Sequence, residues 1–163
     1  MLFRSLHHRL ADCGATQCGG MSEGWGDFLA VHTAITEGDD LDGAYAAAIY
    51  STGSFPDHGY FGIRRVPYSV DPSINALSFR HISSGEALPS THPMASASPD
   101  NAEVHNAGEI WATMMHEAYV ALLKTSQEPG ATRTFDQARR AMGEYVVAGL
   151  ELQTTGQVFI GDR

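Results

Sequence analysis

The sequence predicts a mainly α-helical fold with a loop-rich middle and at most a short strand or hairpin. Three stretches carry apolar residues at the spacing of an amphipathic helix. Between the first and the second of them lies a long segment rich in glycine, proline and serine. The chain has 163 residues, the size of one domain, and neither a repeat nor a linker divides it. We therefore expect a single domain over residues 1–163.

The first helix is predicted at about residues 19–37. Its apolar residues recur at helical spacing and form one face: Met21, Trp25, Phe28, Leu29, His32 and Ile35. The sequence G-D-D at residues 38–40 signals its end.

The loop-rich segment is predicted at residues 38–99. Residues 44–50 are rich in alanine, which favours a helix, whereas their position favours a strand, and the sequence leaves both open. We expect a short strand at residues 60–63. Long loops inside a compact domain are usually functional, which makes this a candidate substrate segment.

Two further helices are predicted at about residues 101–125 and 134–153. Asp100 and Glu103 have the spacing of a capping box at the start of the first, as do Thr134 and Gln137 at the start of the second. Each helix has one apolar stripe, and the sequence P-G at residues 129–130 separates the two.

The charge balance argues against several classes of partner. Lys and Arg number 10 against 19 Asp and Glu, which gives a net charge of −9. Nucleic acids and anionic membranes attract basic surfaces, so neither is an expected partner. No apolar run approaches the roughly 18 residues that span a bilayer. The N-terminus lacks the pattern of a signal peptide, so we expect that the protein stays inside the cell or that its true start lies upstream.

The two cysteines, Cys13 and Cys18, leave three alternatives open. Their spacing is not that of a zinc finger, and no second pair completes four ligands. Two free thiols, a short local disulfide and metal ligation all remain compatible with the sequence, in decreasing order of expectation.

Glu23 and Asp27 are the first candidate site. They are four residues apart, so on a helix both carboxylates lie on one face, beside an apolar stripe. Two acids there need a positive partner, and a divalent metal with histidine ligands would supply one. The alternative, which spacing alone favours, is that both acids face water.

His105 is the second candidate. Asp100 precedes it by five residues at the predicted helix start. A carboxylate can orient an imidazole, and a protonated histidine can stabilise the oxyanion that forms during peptide hydrolysis. The simpler alternative is a polar histidine in the first turn of an amphipathic helix.

Two other motifs have competing interpretations. The pair Arg64 and Arg65 could clamp a substrate carbonyl or carboxylate, although a solvated basic spot is the simpler reading. His116 and Glu117 begin like an H-E-x-x-H zinc motif. Val120 occupies the position of its second histidine, so we predict that His116 lies in the core or on the surface and binds no metal.

Three motifs together resemble the fungalysin metallopeptidases, zinc endopeptidases related to thermolysin. Residues 20–28 read G-M-S-E-G-W-G-D-F and resemble that family's G-M-x-E-G-W-x-D-F. Residues 62–69 read G-I-R-R-V-P-Y-S and resemble G-I-R-R-x-P-Y-S. Residues 104–114 read V-H-N-A-G-E-I-W-A-T-M and resemble V-H-x-x-G-E-x-W-A-T-M. The resemblance covers about residues 7–153.

The resemblance implies a fold and a set of roles. The fold would be the helical C-terminal half of a thermolysin-like peptidase, and the activity would be that of an extracellular zinc metalloendopeptidase acting on peptides or proteins. Glu23 would be the third zinc ligand and Asp27 the acid that hydrogen-bonds a zinc histidine. The oxyanion histidine would be His105, with Asp100 as the acid that orients it.

The resemblance further implies that Arg64, with Arg65 close behind, contacts the substrate backbone. The family's H-E-x-x-H helix, with two zinc histidines and the general base, is not found. Its place falls at or before Arg4, and the adjacent His7 and His8 cannot replace histidines four residues apart. The implied zinc site is therefore incomplete, and we expect an inactive fragment that lacks the N-terminal half of its domain. The alternative is a non-catalytic helical module kept for binding or inhibition.

Overall fold

The structure, a computed structural model, describes residues 7, 9, 14–54, 57–90, 95 and 100–152. Within them the order of α-helices is α1 (Thr16–Ala34), α2 (His58–Phe61), α3 (Val104–Thr125) and α4 (Phe135–Leu152). Two 3₁₀ turns, Ile49–Ser51 and Phe79–Ile82, interrupt the loops. The described residues contain no sheet, only two isolated β-bridges, so the prediction of a mainly α fold is confirmed.

The core forms where α1, α3 and α4 meet. The apolar residues of α1 are buried against the aromatic and aliphatic side chains of α3 and against one stripe of α4. The main contributors are Trp25, Phe28, Val31, Tyr119, Val120, Leu123, Met142, Val146 and Leu150. Burying side chains of this size stabilises a fold by roughly 1.5–3 kcal/mol each before entropy is counted. The apolar residues that recur at helical spacing in the three helices thus pack into one shared core.

Helices α1 and α3 approach each other closely at glycines. A Cβ atom added to Gly24 would lie 2.5 Å from the carbonyl oxygen of Gly108, and one added to Gly108 would lie 2.8 Å from that of Gly20. Only residues without a side chain allow the two backbones to come this near. The crossing places the middle of α1 against the first turns of α3.

The loop-rich middle is held to the helices by short local contacts. Tyr45 and Tyr68 form an antiparallel bridge, and Ala47 pairs with Gly62. Gly62 has a φ of 61°, and a Cβ atom there would meet the carbonyl oxygen of Ala47 at 2.0 Å. Residues 44–48 thus contain only isolated bridges, and the 3₁₀ turn begins at Ile49, so the stretch 44–50 is neither an α-helix nor a full strand. The strand predicted at residues 60–63 is wrong, because the short helix α2 covers the first two of these residues before Gly62 turns the chain.

The start of α3 differs from the sequence prediction. The N-cap is Glu103, whose side chain accepts hydrogen bonds from the backbone amides of His105 and Asn106. Asp100 does not close the predicted capping box. Its carboxylate accepts instead from the hydroxyl of Ser84 at 2.8 Å and from the amide of Ala102 at 3.0 Å. A contact from another loop has thus displaced the helix start by a few residues.

The start of α4 follows the prediction. The amide of Thr134 donates to Oε1 of Gln137 at 2.9 Å, and the amide of Gln137 donates to the hydroxyl of Thr134 at 3.2 Å. This reciprocal pair satisfies backbone donors that a helix start would otherwise leave open.

Cys18 is buried and disulfide-bonded, which selects the disulfide alternative for this residue. Cys13 lies outside the described residues. No helix in the described ranges is long and apolar enough to cross a membrane.

Candidate active site

The crossing of α1 and α3 brings Glu23 and His105 together. Oε2 of Glu23 lies 3.6 Å from Nε2 of His105. The Glu23 side chain is 14% exposed and that of His105 is 51% exposed. The carboxylate is therefore mostly sheltered, whereas the imidazole is half exposed to solvent. The Cβ atom of Glu23 also faces Gly108, which shows that the glycine crossing sets this separation. The two residues that the resemblance assigns to one active site are thus neighbours in the structure.

Asp27, one turn further along α1, is the acceptor of a second cluster. Nη2 of Arg64 donates to its Oδ1 at 2.8 Å, and Nε of Arg64 donates to Oδ2. The hydroxyl of Tyr68 also donates to Oδ2, at 2.5 Å. Burial raises the pKa of Tyr68 well above its ordinary value, and the negative charge of Asp27 raises it further. Tyr68 therefore stays a hydrogen-bond donor to this carboxylate.

The Asp27 cluster changes one expectation from the sequence. The positive partner expected opposite the acids is present, and for Asp27 it is the guanidinium of Arg64. Arg64 uses two of its three donor nitrogens in this pair and is only 9% exposed in its side chain. The cluster joins α1 to the loop-rich segment, at the residue next to Arg65.

Arg65 lies in the interior of the molecule. Its side chain is 1% exposed and donates to Glu109 through Nε at 2.6 Å and to Asn101 through Nη1 at 2.7 Å. Nη2 donates to the carbonyl oxygen of Asn106 at 2.9 Å, and the backbone amide donates to the other carboxylate oxygen of Glu109. A guanidinium enclosed in this way cannot reach a substrate. We therefore assign Arg65 to the structure rather than to substrate binding.

The imidazole of His105 is held by Glu103. Nδ1 lies 2.7 Å from Oε1 of Glu103, on the opposite edge of the ring from Glu23. Asp100, the residue expected to orient His105, contacts Ser84 and Ala102. These two hydrogen bonds lower the pKa of the Asp100 carboxyl, which keeps it ionised in the segment just before α3.

His116 is a core residue, which is one of the two positions that the sequence left open. Its side chain is fully buried, and among the described residues neither ring nitrogen has a hydrogen-bond partner. The rings of Tyr45 and Tyr68 lie beside it, with centroids 5.6 and 6.4 Å away. Burial lowers the pKa of His116 to about 4, so the ring is neutral at physiological pH.

A catalytic zinc ion is typically held by about three protein ligands. Among the residues that the structure describes, no three His, Cys, Asp or Glu side chains converge on one point. Glu23 offers one carboxylate, with the imidazole of His105 beside it. The described residues therefore do not complete a zinc site.

Sequence reasoning missed three residues around these clusters. Tyr68 and Glu109 stand inside recognised motifs, but no spacing rule connects them to Asp27 and Arg65, which lie 41 and 44 residues away in sequence. Glu103 could have been found, because an acidic residue two positions before a histidine at a helix start can reach both the amides and the ring.

Comparison with known proteins gives these clusters a family. Residues 8–163 match the family described as fungalysin metallopeptidase (M36). The chain belongs to the fungalysin metallopeptidase family. An extracellular metalloproteinase of Aspergillus niger is 28% identical over an alignment that covers 96% of this chain and 22% of the relative. One from Aspergillus terreus is 32% identical, with 90% of this chain and 21% of the relative covered.

A third relative, extracellular metalloproteinase 10 of Coccidioides posadasii, is 28% identical over 90% of this chain and 21% of its own length. The resemblance drawn from the three motifs is thus confirmed at the level of the family. The chain spans about a fifth of the length of the curated relatives it matches.

Proposed function

We propose that this fungalysin chain carries the Glu23–His105 part of the active site of an extracellular zinc metalloendopeptidase that cleaves peptides or proteins. The observation that carries the proposal is the 3.6 Å approach of Oε2 of Glu23 to Nε2 of His105. The match to a metallopeptidase family over residues 8–163 supports it, as do relatives named extracellular metalloproteinases.

In this proposal Glu23 is a zinc ligand. Its carboxylate is 14% exposed, so a metal ion at the surface of the molecule can reach it. Neutral imidazoles and carboxylates are typical zinc ligands. The zinc ligands other than Glu23 would come from outside the described residues.

His105 is the proposed oxyanion-stabilising group. Its ring is half exposed, so a bound peptide carbonyl can approach it. A hydrogen-bond donor held where negative charge develops lowers the barrier of acyl transfer, and loss of one such donor typically reduces kcat by roughly 100- to 1,000-fold.

Asp27, Arg64 and Tyr68 form the support beside Glu23. Two of the three Arg64 donor nitrogens and the Tyr68 hydroxyl converge on Asp27, which lies four residues after Glu23 on α1. We propose that this network fixes the position of the turn of helix α1 that carries Glu23. Arg64 would meet the substrate backbone only through Nη1, the nitrogen not engaged with Asp27.

Zinc binding tests the proposal directly. Isothermal titration of the purified 163-residue chain with ZnCl₂ should show binding that Glu23→Gln weakens at least tenfold. Glu117→Gln, an exposed carboxylate on α3, is the matched control and should leave the affinity unchanged. Equal affinity in wild type and Glu23→Gln, or no zinc binding at all, would count against a metal role for Glu23 and would favour a non-catalytic module.

Hydrolysis provides the second readout. One carboxylate and one imidazole lack the further ligands and the general base of a zinc peptidase, and general-base assistance alone contributes roughly 100- to 10,000-fold. We therefore expect no cleavage of casein or a quenched peptide by the chain alone with added zinc. Zinc-dependent cleavage that Glu23→Ala abolishes would show instead that the chain completes its own site.

A further inference from the structure

The carboxylate of Glu103 serves the backbone and the active-site ring at the same time. Oε2 accepts hydrogen bonds from the amides of His105 at 3.0 Å and Asn106 at 3.3 Å, which makes Glu103 the N-cap of α3. Oε1 lies 2.7 Å from Nδ1 of His105. Because the helix amides hold one oxygen, the other has a fixed place relative to the imidazole.

We propose that Glu103 is the positioning residue that orients the His105 imidazole, a role that family resemblance gives to Asp100. Oε1 of Glu103 accepts a hydrogen bond from Nδ1–H, which directs Nε2 towards Glu23. The significance of this role rests on the proposed function of His105.

The surroundings of the ring support this assignment. The His105 side chain is 51% exposed, so packing alone leaves the ring free to rotate, and a hydrogen bond is needed to select one orientation. Oδ1 of Asp100 already accepts from the hydroxyl of Ser84 and the amide of Ala102. These contacts of Asp100 thus hold the loop before α3, and neither of them involves the imidazole.

Glu103 also has the right protonation state for an acceptor. Partial burial opposes ionisation, but the hydrogen bonds from the His105 ring and from the amides of Asn106 and His105 together lower the pKa of the Glu103 carboxyl. An ionised carboxylate only accepts hydrogen bonds, so its partner Nδ1 must carry a proton. The nitrogen on the side of Glu23 is then Nε2, the atom able to donate to an oxyanion when the ring holds a second proton.

The test separates orienting the ring from capping the helix. Glu103→Ser keeps a preferred N-cap residue but has one oxygen, which cannot serve the amides and the ring together. Glu103→Asp keeps both oxygens. The measured quantity is the ratio of the Nδ1–H to the Nε2–H tautomer of His105. It is read from the imidazole ¹⁵N chemical shifts of the 163-residue chain, at a pH high enough that the shifts no longer change with pH.

We expect Glu103→Ser to lower the Nδ1–H to Nε2–H ratio by roughly tenfold, the order that a charge-assisted hydrogen bond can supply, with the helical circular dichroism unchanged. Glu103→Asp should restore most of the ratio. Asp100→Asn, which retains Oδ1 for Ser84 and Ala102, should leave it as in wild type. An unchanged ratio in Glu103→Ser, or a loss in Asp100→Asn alone, would overturn the assignment.

The measurement uses neither zinc nor substrate. Failure of the zinc titration with Glu23 would therefore remove the proposed function and leave the tautomer result standing. An unchanged tautomer ratio with normal zinc binding would remove only the role of Glu103.

Discussion

The side chain and the backbone amide of Arg65 both donate to the carboxylate of Glu109 in the interior of the molecule. Nε donates to Oε2 at 2.6 Å, and the backbone amide of Arg65 donates to Oε1 at 2.8 Å. Asn101 and the carbonyl of Asn106 accept from the remaining guanidinium nitrogens. The loop-rich segment is thereby joined to α3 a single turn after His105, through a charge pair that water does not reach.

Glu109→Gln should destabilise the chain strongly. The amide keeps the shape of the side chain but leaves the Arg65 charge buried without its counter-ion, and breaking a buried pair costs about 3–5 kcal/mol. Urea unfolding followed by circular dichroism measures the loss. Glu144→Gln, an exposed carboxylate on α4, is the control and should stay within roughly 0.5 kcal/mol of wild type. A loss below about 1 kcal/mol for Glu109→Gln would mean that the pair behaves like an exposed one.

Gly24→Ala should separate α1 from α3. The new Cβ atom would lie 2.5 Å from the carbonyl oxygen of Gly108, and backbone cannot move aside as a flexible side chain can. Overpacking of this kind typically costs about 1–3 kcal/mol. The free energy of unfolding in urea reports the cost, and Gly26→Ala on the same helix is the matched control.

Gly26 has no atom within 4 Å of an added Cβ, so alanine there should raise stability by about 0.5–1 kcal/mol through helix propensity. The two variants should therefore change stability in opposite directions. Destabilisation of similar size in both would show that the helix backbone, and not the crossing with α3, limits these positions.

The sequence predicts the three long helices well and their contacts poorly. The bounds of α1, α3 and α4 fall within a few residues of prediction because apolar periodicity and caps are local properties. The pairs Arg64–Asp27 and Arg65–Glu109 join residues 37 and 44 positions apart, and no local rule relates such partners.

The start of α3 shows where local rules reach their limit. Asp100 and Glu103 are both acceptable caps by residue type, and Glu103 becomes the N-cap while Ser84 from a distant loop binds Asp100. Glu23 and His105, to which the resemblance assigns roles in one site, lie 3.6 Å apart, whereas the motifs describe neither cap.

Tyr68→Phe should weaken the Asp27 cluster without changing its shape. The hydroxyl donates to a carboxylate at 2.5 Å from a fully enclosed position, and hydrogen bonds to charged groups contribute about 1.5–3 kcal/mol. We expect a loss in this range in urea unfolding. Tyr45→Phe is the comparison, because Tyr45 pairs with Tyr68 through the backbone while its hydroxyl donates to the exposed carbonyl of Asp40.

A neutral hydrogen bond near the surface contributes about 0.5–1.5 kcal/mol, so Tyr45→Phe should be the milder of the two. Equal losses of unfolding free energy in both variants would mean that the charge of Asp27 adds nothing to the Tyr68 hydrogen bond. The cluster would then not be what fixes the turn of α1 that carries Glu23.

His116 should make the fold sensitive to acid. The unfolded chain protonates this histidine near its ordinary pKa of about 6.5, whereas burial lowers the pKa in the folded state to about 4. Between these values the unfolded state binds more protons, so the stability of the fold decreases as the pH falls from 6.5 towards 4. From pH 7 to pH 4 the loss attributable to His116 should be about 3 kcal/mol.

His116→Leu removes the titrating ring while keeping a side chain of similar size between Tyr45 and Tyr68. Carboxylates such as Glu103 titrate in both proteins, so the difference between the two pH profiles of unfolding free energy isolates the histidine. We expect the profiles to run parallel above pH 7 and to diverge below it, with the wild type losing the extra stability. Profiles that stay parallel down to pH 4 would mean that the ring takes up its proton equally well in the folded chain, which its enclosure without a hydrogen-bond partner should prevent.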